Sequence, residues 1–172
     1  MCAHITQPPK FSCAPCEPLP EILATRAGYL LNRAAARIRQ MTEEALAPLN
    51  ILAKHYGLMA VVKTHGPMTQ QAIGEVLKVD RTTMVLLVDD AESKDIVVRN
   101  PHPTDRRCHL LSLSDNGEKV YKAAHRIVKK VEDEFFNVLA APEKEQLIAL
   151  VSRLFQNSDQ EQPQASNLTE TV

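Results

Sequence analysis

Thr69-Gln70-Gln71-Ala72-Ile73-Gly74-Glu75-Val76-Leu77-Lys78-Val79-Asp80-Arg81-Thr82-Thr83-Met84-Val85-Leu86-Leu87-Val88-Asp89 decides the fold. Thr69 is placed to cap a helix over about Gln70 to Leu77, and Asp80 to cap a second over about Arg81 to Ser93. On the second helix Met84, Leu87, Val88 and Ala91 recur at i, i+3, i+4 and i+7, so they form its buried face. Ile73 and Leu77 are their natural partners, with Gly74 permitting close approach of the two helices. The opposite face presents Arg81, Thr82, Val85, Leu86 and Asp89.

The segment that follows has the pattern of a hairpin. Ile96 to Asn100 and Arg107 to Leu113 read as strands, joined by Pro101-His102-Pro103-Thr104-Asp105-Arg106. Two helices followed by a basic-tipped hairpin make a winged helix-turn-helix, which sets one helix in the DNA major groove and a wing on the neighbouring backbone or minor groove. Asp105, two residues before Arg107, can hold its guanidinium in a fixed pose. A posed arginine suits a narrow minor groove. The candidate DNA-contacting residues are therefore Thr69, Gln70, Lys78, Arg81, Thr82, Thr83, Val85, Leu86, Arg99, Asp105, Arg106 and Arg107.

Outward from this module the chain is expected to be mostly α. An arm over residues 1–19 carries prolines and cysteines without helical period and reads as flexible. Pro20 suits a first helical turn, and a helix from Glu21 to about Leu46 ends before Pro48. A second covers about Ala53 to Thr64 and stops at His65-Gly66-Pro67. Ser114 is placed to cap a long helix over about Asp115 to Ala140, and Pro142 opens a last one to about Gln156. The polar segment 157–172 reads as a disordered tail. The expected divisions are a winged-helix domain over 20–156, with a DNA-binding lobe at about 52–113 and dimerisation helices at about 21–46 and 114–156.

Length and composition agree with one globular domain. The chain has 172 residues, is 44% hydrophobic, holds five glycines and carries a net charge of −1. That charge favours no partner by itself, so placement of charge matters. No apolar run reaches a membrane-spanning length and no signal peptide is evident, which makes a cytoplasmic location with reduced thiols the expectation and a membrane partner unexpected.

From Thr69 to Gly117 the chain resembles the MarR family, the multiple-antibiotic-resistance-type regulators, including the strand Ile96-Val97-Val98-Arg99 and the wing Asp105-Arg106-Arg107. In order of elements the resemblance extends over about residues 21–156. It implies a six-helix winged-helix homodimer joined through its terminal helices. It also implies a repressor of a pseudo-palindromic operator, released by a small ligand or by thiol oxidation. A two-fold dimer would place the reading helices about 34 Å apart, one DNA turn. The broad apolar faces of the terminal helices (Ile127, Val131, Phe135, Val138, Leu139, Leu147, Leu150, Leu154) suit such a dimer.

This chain departs from the family pattern in three places. Lys78 stands in the interhelical turn and Asp95 after the reading helix, where the family often has Gly. Asp tolerates the left-handed conformation better than Lys does, and Lys78 could add a phosphate contact. Val85 and Leu86 stand where the reading helix usually offers small polar or Arg side chains. From Thr69 to Asp95 three bases face six acids, a net of −3, a poor footprint for a DNA reader. Apolar side chains can still pack on thymine methyls, with Arg99, Arg106 and Arg107 supplying much of the phosphate attraction. The alternative is a winged-helix interaction or redox-sensing module with weak or no operator binding.

The signal is less legible. Cys13 and Cys16 form a CxxC that fits an inert tail, a redox sensor or half of a zinc site. Cys108 follows two arginines that would favour its thiolate if exposed, but strand alternation could equally bury it. The six histidines show no HxxxH pair, so neither a metal nor a cofactor is expected. Tyr29, Arg33, His55, Tyr56 and Met59 are candidates for a pocket taking a small aromatic or phenolic effector, although their helical spacing also suits a core. No nucleophile–base arrangement or phosphate loop suggests an enzyme.

Overall fold

A computed structural model of the protein describes residues 20–104 and 108–160. The chain divides into two compact units, the first ending at Arg37 and the second beginning at Ile38.

In the first unit a single turn of helix, α1 (Glu21–Ala24), is followed by α2, which starts at Ala27 and runs on to Leu46 in the second unit. One continuous helix was expected here. The interruption falls at Thr25, whose hydroxyl donates to the Glu21 carbonyl (3.2 Å) and also reaches the Ile22 carbonyl. Such local side-chain bonds compete with the helical ladder.

The second unit continues with a 3₁₀ turn at Ala47–Leu49 and then α3 (Ala53–His65). Gly66, at φ +80°, turns the chain into β1 (Met68–Thr69). The helices α4 (Gln70–Leu77) and α5 (Arg81–Ser93) come next, followed by β2 (Val97–Pro101), β3 (His109–Leu113), α6 (Asp115–Phe135) and α7 (Ala141–Gln160). The wing is more than a hairpin. β1 adds to it antiparallel, giving the order β1-β3-β2, with Met68 opposite Leu111 and Arg99 opposite Leu111 on the other side.

The core of this unit is largely apolar and is built from α3 to α6 and the sheet. α3 contributes Leu58, Met59 and Val62, and α4 contributes Ile73. The expected stripe Met84, Leu87, Val88 and Ala91 of α5 is buried against them, with Val97, Leu111 and Ala124 closing the far side. Gly117 shows how tightly α6 meets the sheet: a Cβ there would stand 1.9 Å from the Ile96 carbonyl oxygen. Ser114 fixes this junction, its hydroxyl accepting from Gly117 N (2.8 Å) and donating to the Asp95 carbonyl.

The boundaries of the last two helices also differ from expectation. α6 ends at Phe135, short of Ala140. The apolar spacing through Leu139 hides this stop. Phe135 and Phe136 pack edge to face, Lys144 lies over the Phe136 ring, and the Ala140 N–H donates to the Glu143 carboxylate, which starts the next helix. α7 in turn extends to Gln160, so residues 157–160 are helical. Residues 1–19, 105–107 and 161–172 lie outside the described residues, and with them the arm and most of the tail. No single helix among the described residues is long and apolar enough to cross a membrane.

Candidate nucleic-acid interface

The turn between α4 and α5 sets the geometry. Thr69 Oγ1 accepts from Ala72 N (3.2 Å) and Asp80 Oδ1 from Thr83 N (3.0 Å), so both helices begin at their own caps. Hydrogen bonds from Thr83 also hold the Asp80 carboxyl below its ordinary range. Lys78 takes the left-handed conformation (φ 53°, ψ 42°), as does Asp95 (φ 52°). These are the two positions where the sequence lacks the family's usual glycine, so the backbone conformation persists without it. The Val79 N–H donates back to the Gly74 carbonyl (3.0 Å), and a Cβ on Gly74 would meet Val79 O at 3.3 Å.

In front of this turn lies an open groove of about 1300 Å³. Thr69, Gln70, Lys78, Arg81, Val85, Arg99 and Cys108 all line it. Thr82, Thr83 and Leu86 are exposed on the same helix. Thr69 is half-buried and committed to its cap. Asp105, Arg106 and Arg107 fall outside the described residues.

Arg99 lines the groove but is also engaged within the protein. Its guanidinium reaches back from β2 to Asp89 and to Glu92 (3.0 Å), both on α5. It therefore neutralises the acidic C-terminal half of the reading helix, and its charge is shared with protein carboxylates. Asp90 is tied down as well. Lys94 bonds its Oδ1, and His55 Nε2 stands 2.8 Å from its Oδ2. The Lys94 contact, with His55 behind it, holds the Asp90 carboxyl below the usual range.

His55 itself is fully buried. Its Nδ1 accepts from Leu52 N (2.9 Å), which caps α3 and places the ring proton on Nε2, toward Asp90. Burial pushes its pKa below the ordinary value; the nearby Asp90 opposes that shift. Of the pocket candidates, His55 and Met59 are thus committed to the core, a placement that fits the packing alternative. Tyr29 and Arg33 are exposed on α2. Tyr56 is half-buried beside two residues that the sequence reading missed, Tyr121 and His125. Its ring stacks on Tyr121 (6.0 Å, 9°) and its hydroxyl lies 3.0 Å from His125 Nδ1. The i, i+4 spacing of Tyr121 and His125 was the available signal. Cys108 is half-buried, between the two expected outcomes, while Cys13 and Cys16 are outside the described residues.

Residues 53–109, which span α3, both helices of the reading module and the start of β3, match the MarR family. Over this lobe the chain is similar to the MarR family. A relative assigned as the transcriptional regulator of the hcr operon in Thauera aromatica is 28% identical over 82% of this chain and 85% of its own. The HTH-type transcriptional repressor NicR of Pseudomonas putida is 20% identical over 86% of this chain and 94% of its own. Among solved structures, a mutant of MarR from E. coli complexed with operator DNA is similar, with a TM-score of 0.70 and 26% identity over 74% of this chain and 91% of that one. The fold is the winged helix expected from the sequence, with the added strand β1.

Proposed function

We propose that this chain is a DNA-binding transcriptional regulator of the MarR type, working as a homodimeric repressor on a pseudo-palindromic operator. The observation that carries the proposal is the capped α4–α5 pair, with the N-terminal half of α5 exposed beside an open groove and the β-sheet flanking it. Gln70, Lys78, Arg81, Thr82 and Thr83 are assigned to phosphate and base contacts there, Thr69 to positioning, and Arg106 and Arg107 to the wing contact. The DNA-binding lobe is about residues 52–113. Similarity to a family member complexed with operator DNA and to a named repressor supports both parts of this reading. The regulator relatives do not favour a stand-alone interaction module or an enzyme.

Release from DNA is assigned to a small aromatic or phenolic effector, with the Tyr56, Tyr121 and His125 stack as the protein's aromatic surface for it. Oxidation at Cys108 is the competing signal. Both are settled by titrating the protein onto its own upstream DNA at about 50 mM and about 200 mM salt, first reduced, then oxidised, then with simple phenolic acids. Binding that weakens steeply with salt is expected. Binding in neither salt, to the upstream DNA or to a randomised duplex pool, would overturn the proposal.

A further inference from the structure

We propose that Val85 and Leu86 of α5 select the operator by packing on thymine C5-methyl groups in the major groove, an inference that rests on the DNA-binding reading above. Val85 is 39% exposed and Leu86 63% exposed, one helical turn beyond Arg81 and Thr82 on the outward face of α5. The buried stripe of the same helix is complete without them. Their exposure is not needed for folding, and two adjacent branched apolar side chains at this position offer area whose removal from water would favour a partner surface.

The chemistry of the covering surface follows from what surrounds the pair. The polar groups further along α5 are already engaged: Asp89 and Glu92 with Arg99, and Asp90 with Lys94 and His55. Asp80 is held by its cap to Thr83. Hydrogen bonding to base edges from α5 is therefore confined to the first turn, at Arg81, Thr82 and Thr83. Beyond that turn the helix offers the groove hydrocarbon, and the apolar feature of the major-groove edge of a base pair is the thymine methyl. The pair thus discriminates thymine from cytosine, which lacks the methyl and presents an amino donor that neither side chain can satisfy.

The test uses the full chain. Duplexes enriched by the protein from a randomised double-stranded pool are resynthesised with deoxyuridine in place of thymidine, which deletes the methyl groups and leaves each hydrogen-bonding edge unchanged. Wild type is expected to bind the uracil duplex about fourfold more weakly for each contacted methyl, or about fifteenfold for one methyl in each half-site. The Val85→Ala/Leu86→Ala variant, checked for native helicity, is expected to bind the thymine duplex more weakly than wild type and to bind both duplexes equally. Wild-type binding that is strong and identical on the two duplexes would overturn the methyl reading and leave DNA binding standing. A variant as sensitive to uracil as wild type would also overturn it. Failure to enrich any duplex would remove the DNA-binding reading, and this inference with it.

Discussion

Leu58, Met59, Ile73, Leu87 and Val88 in the winged lobe are at most 1% exposed, whereas Ile148, Leu150 and Leu154 of α7 are 58, 49 and 59% exposed. Both regions carry large apolar side chains at helical spacing, with opposite burial. In the lobe, helices and sheet enclose each other's faces. α7 carries leucines at helical spacing that the single chain leaves in water. An exposed apolar stripe of this kind marks an interaction surface, and a second copy related by a two-fold axis would cover it with the same stripe.

The largest expected effect breaks this comparison at α7. Leu150→Glu with Leu154→Glu would place unpaired carboxylates in the proposed dimer contact from both copies. The dimer dissociation constant should rise by at least about a thousandfold, or ~4 kcal/mol. Sedimentation across a dilution series checks this, and the lobe should keep its helicity. A variant that remains dimeric would show that the exposed stripe serves something else.

Within the lobe the sharpest steric test is Gly117→Ala. The added methyl would overlap the Ile96 carbonyl oxygen, a backbone atom that cannot rotate away. Separating α6 from the sheet should cost about 3 kcal/mol, read by urea denaturation. A loss below about 1 kcal/mol would mean that the junction yields more easily than its packing indicates.

Much of this lobe was legible in the sequence for local reasons. A cap is one side chain bonding an amide three residues ahead, so Thr69, Asp80 and Ser114 announced their helices. The period of α5 sorted Met84 and Leu87 inward and Val85 and Leu86 outward. What escaped was non-local. β1 has two residues, too few to display alternation, and exists because Met68 and Thr69 pair with Leu111 and Leu110. Arg99 reads as a free cation until the fold brings Asp89 and Glu92 to it. His55 looks like a pocket residue until α5 closes over it. Tyr121 and His125 were spaced to share a face, but only the packing of α6 on α3 shows that Tyr56 joins them.

His55 gives the lobe a pH dependence. Burial lowers its pKa below the ordinary 6.5, against the pull of Asp90, with Lys94 and Lys54 reinforcing the shift. Above that pH the imidazole is neutral both folded and unfolded and adds no slope. As pH falls through 6.5 the unfolded chain takes up a proton that the folded chain resists, so stability falls with pH until folded His55 also protonates. Protonation at Nδ1 would further displace the Leu52 amide. His55→Gln should cost about 2 kcal/mol near neutrality and flatten the difference between wild-type stabilities at about pH 7.5 and about pH 5.5. An unchanged slope in the variant would assign the pH dependence to other groups.

The smallest effect concerns Arg99 and separates two kinds of basic residue inside the lobe. The pair it makes with Asp89 and Glu92 is partly exposed, so Arg99→Ala should change stability by no more than about 1 kcal/mol. Its effect on DNA depends on what the guanidinium does. If it shields the two carboxylates from phosphate, Arg99→Ala weakens binding about three- to tenfold by exposing like charge, and Asp89→Asn with Glu92→Gln restores affinity in the same background. If it bound phosphate directly, those substitutions would restore nothing, and the logarithmic salt dependence would fall by about one unit. The engaged geometry supports shielding, so rescue is the expected outcome. Arg99 would then belong with the buried stripe as part of the scaffold that presents α5, leaving Arg81, Thr82, Thr83, Val85 and Leu86 to face the DNA.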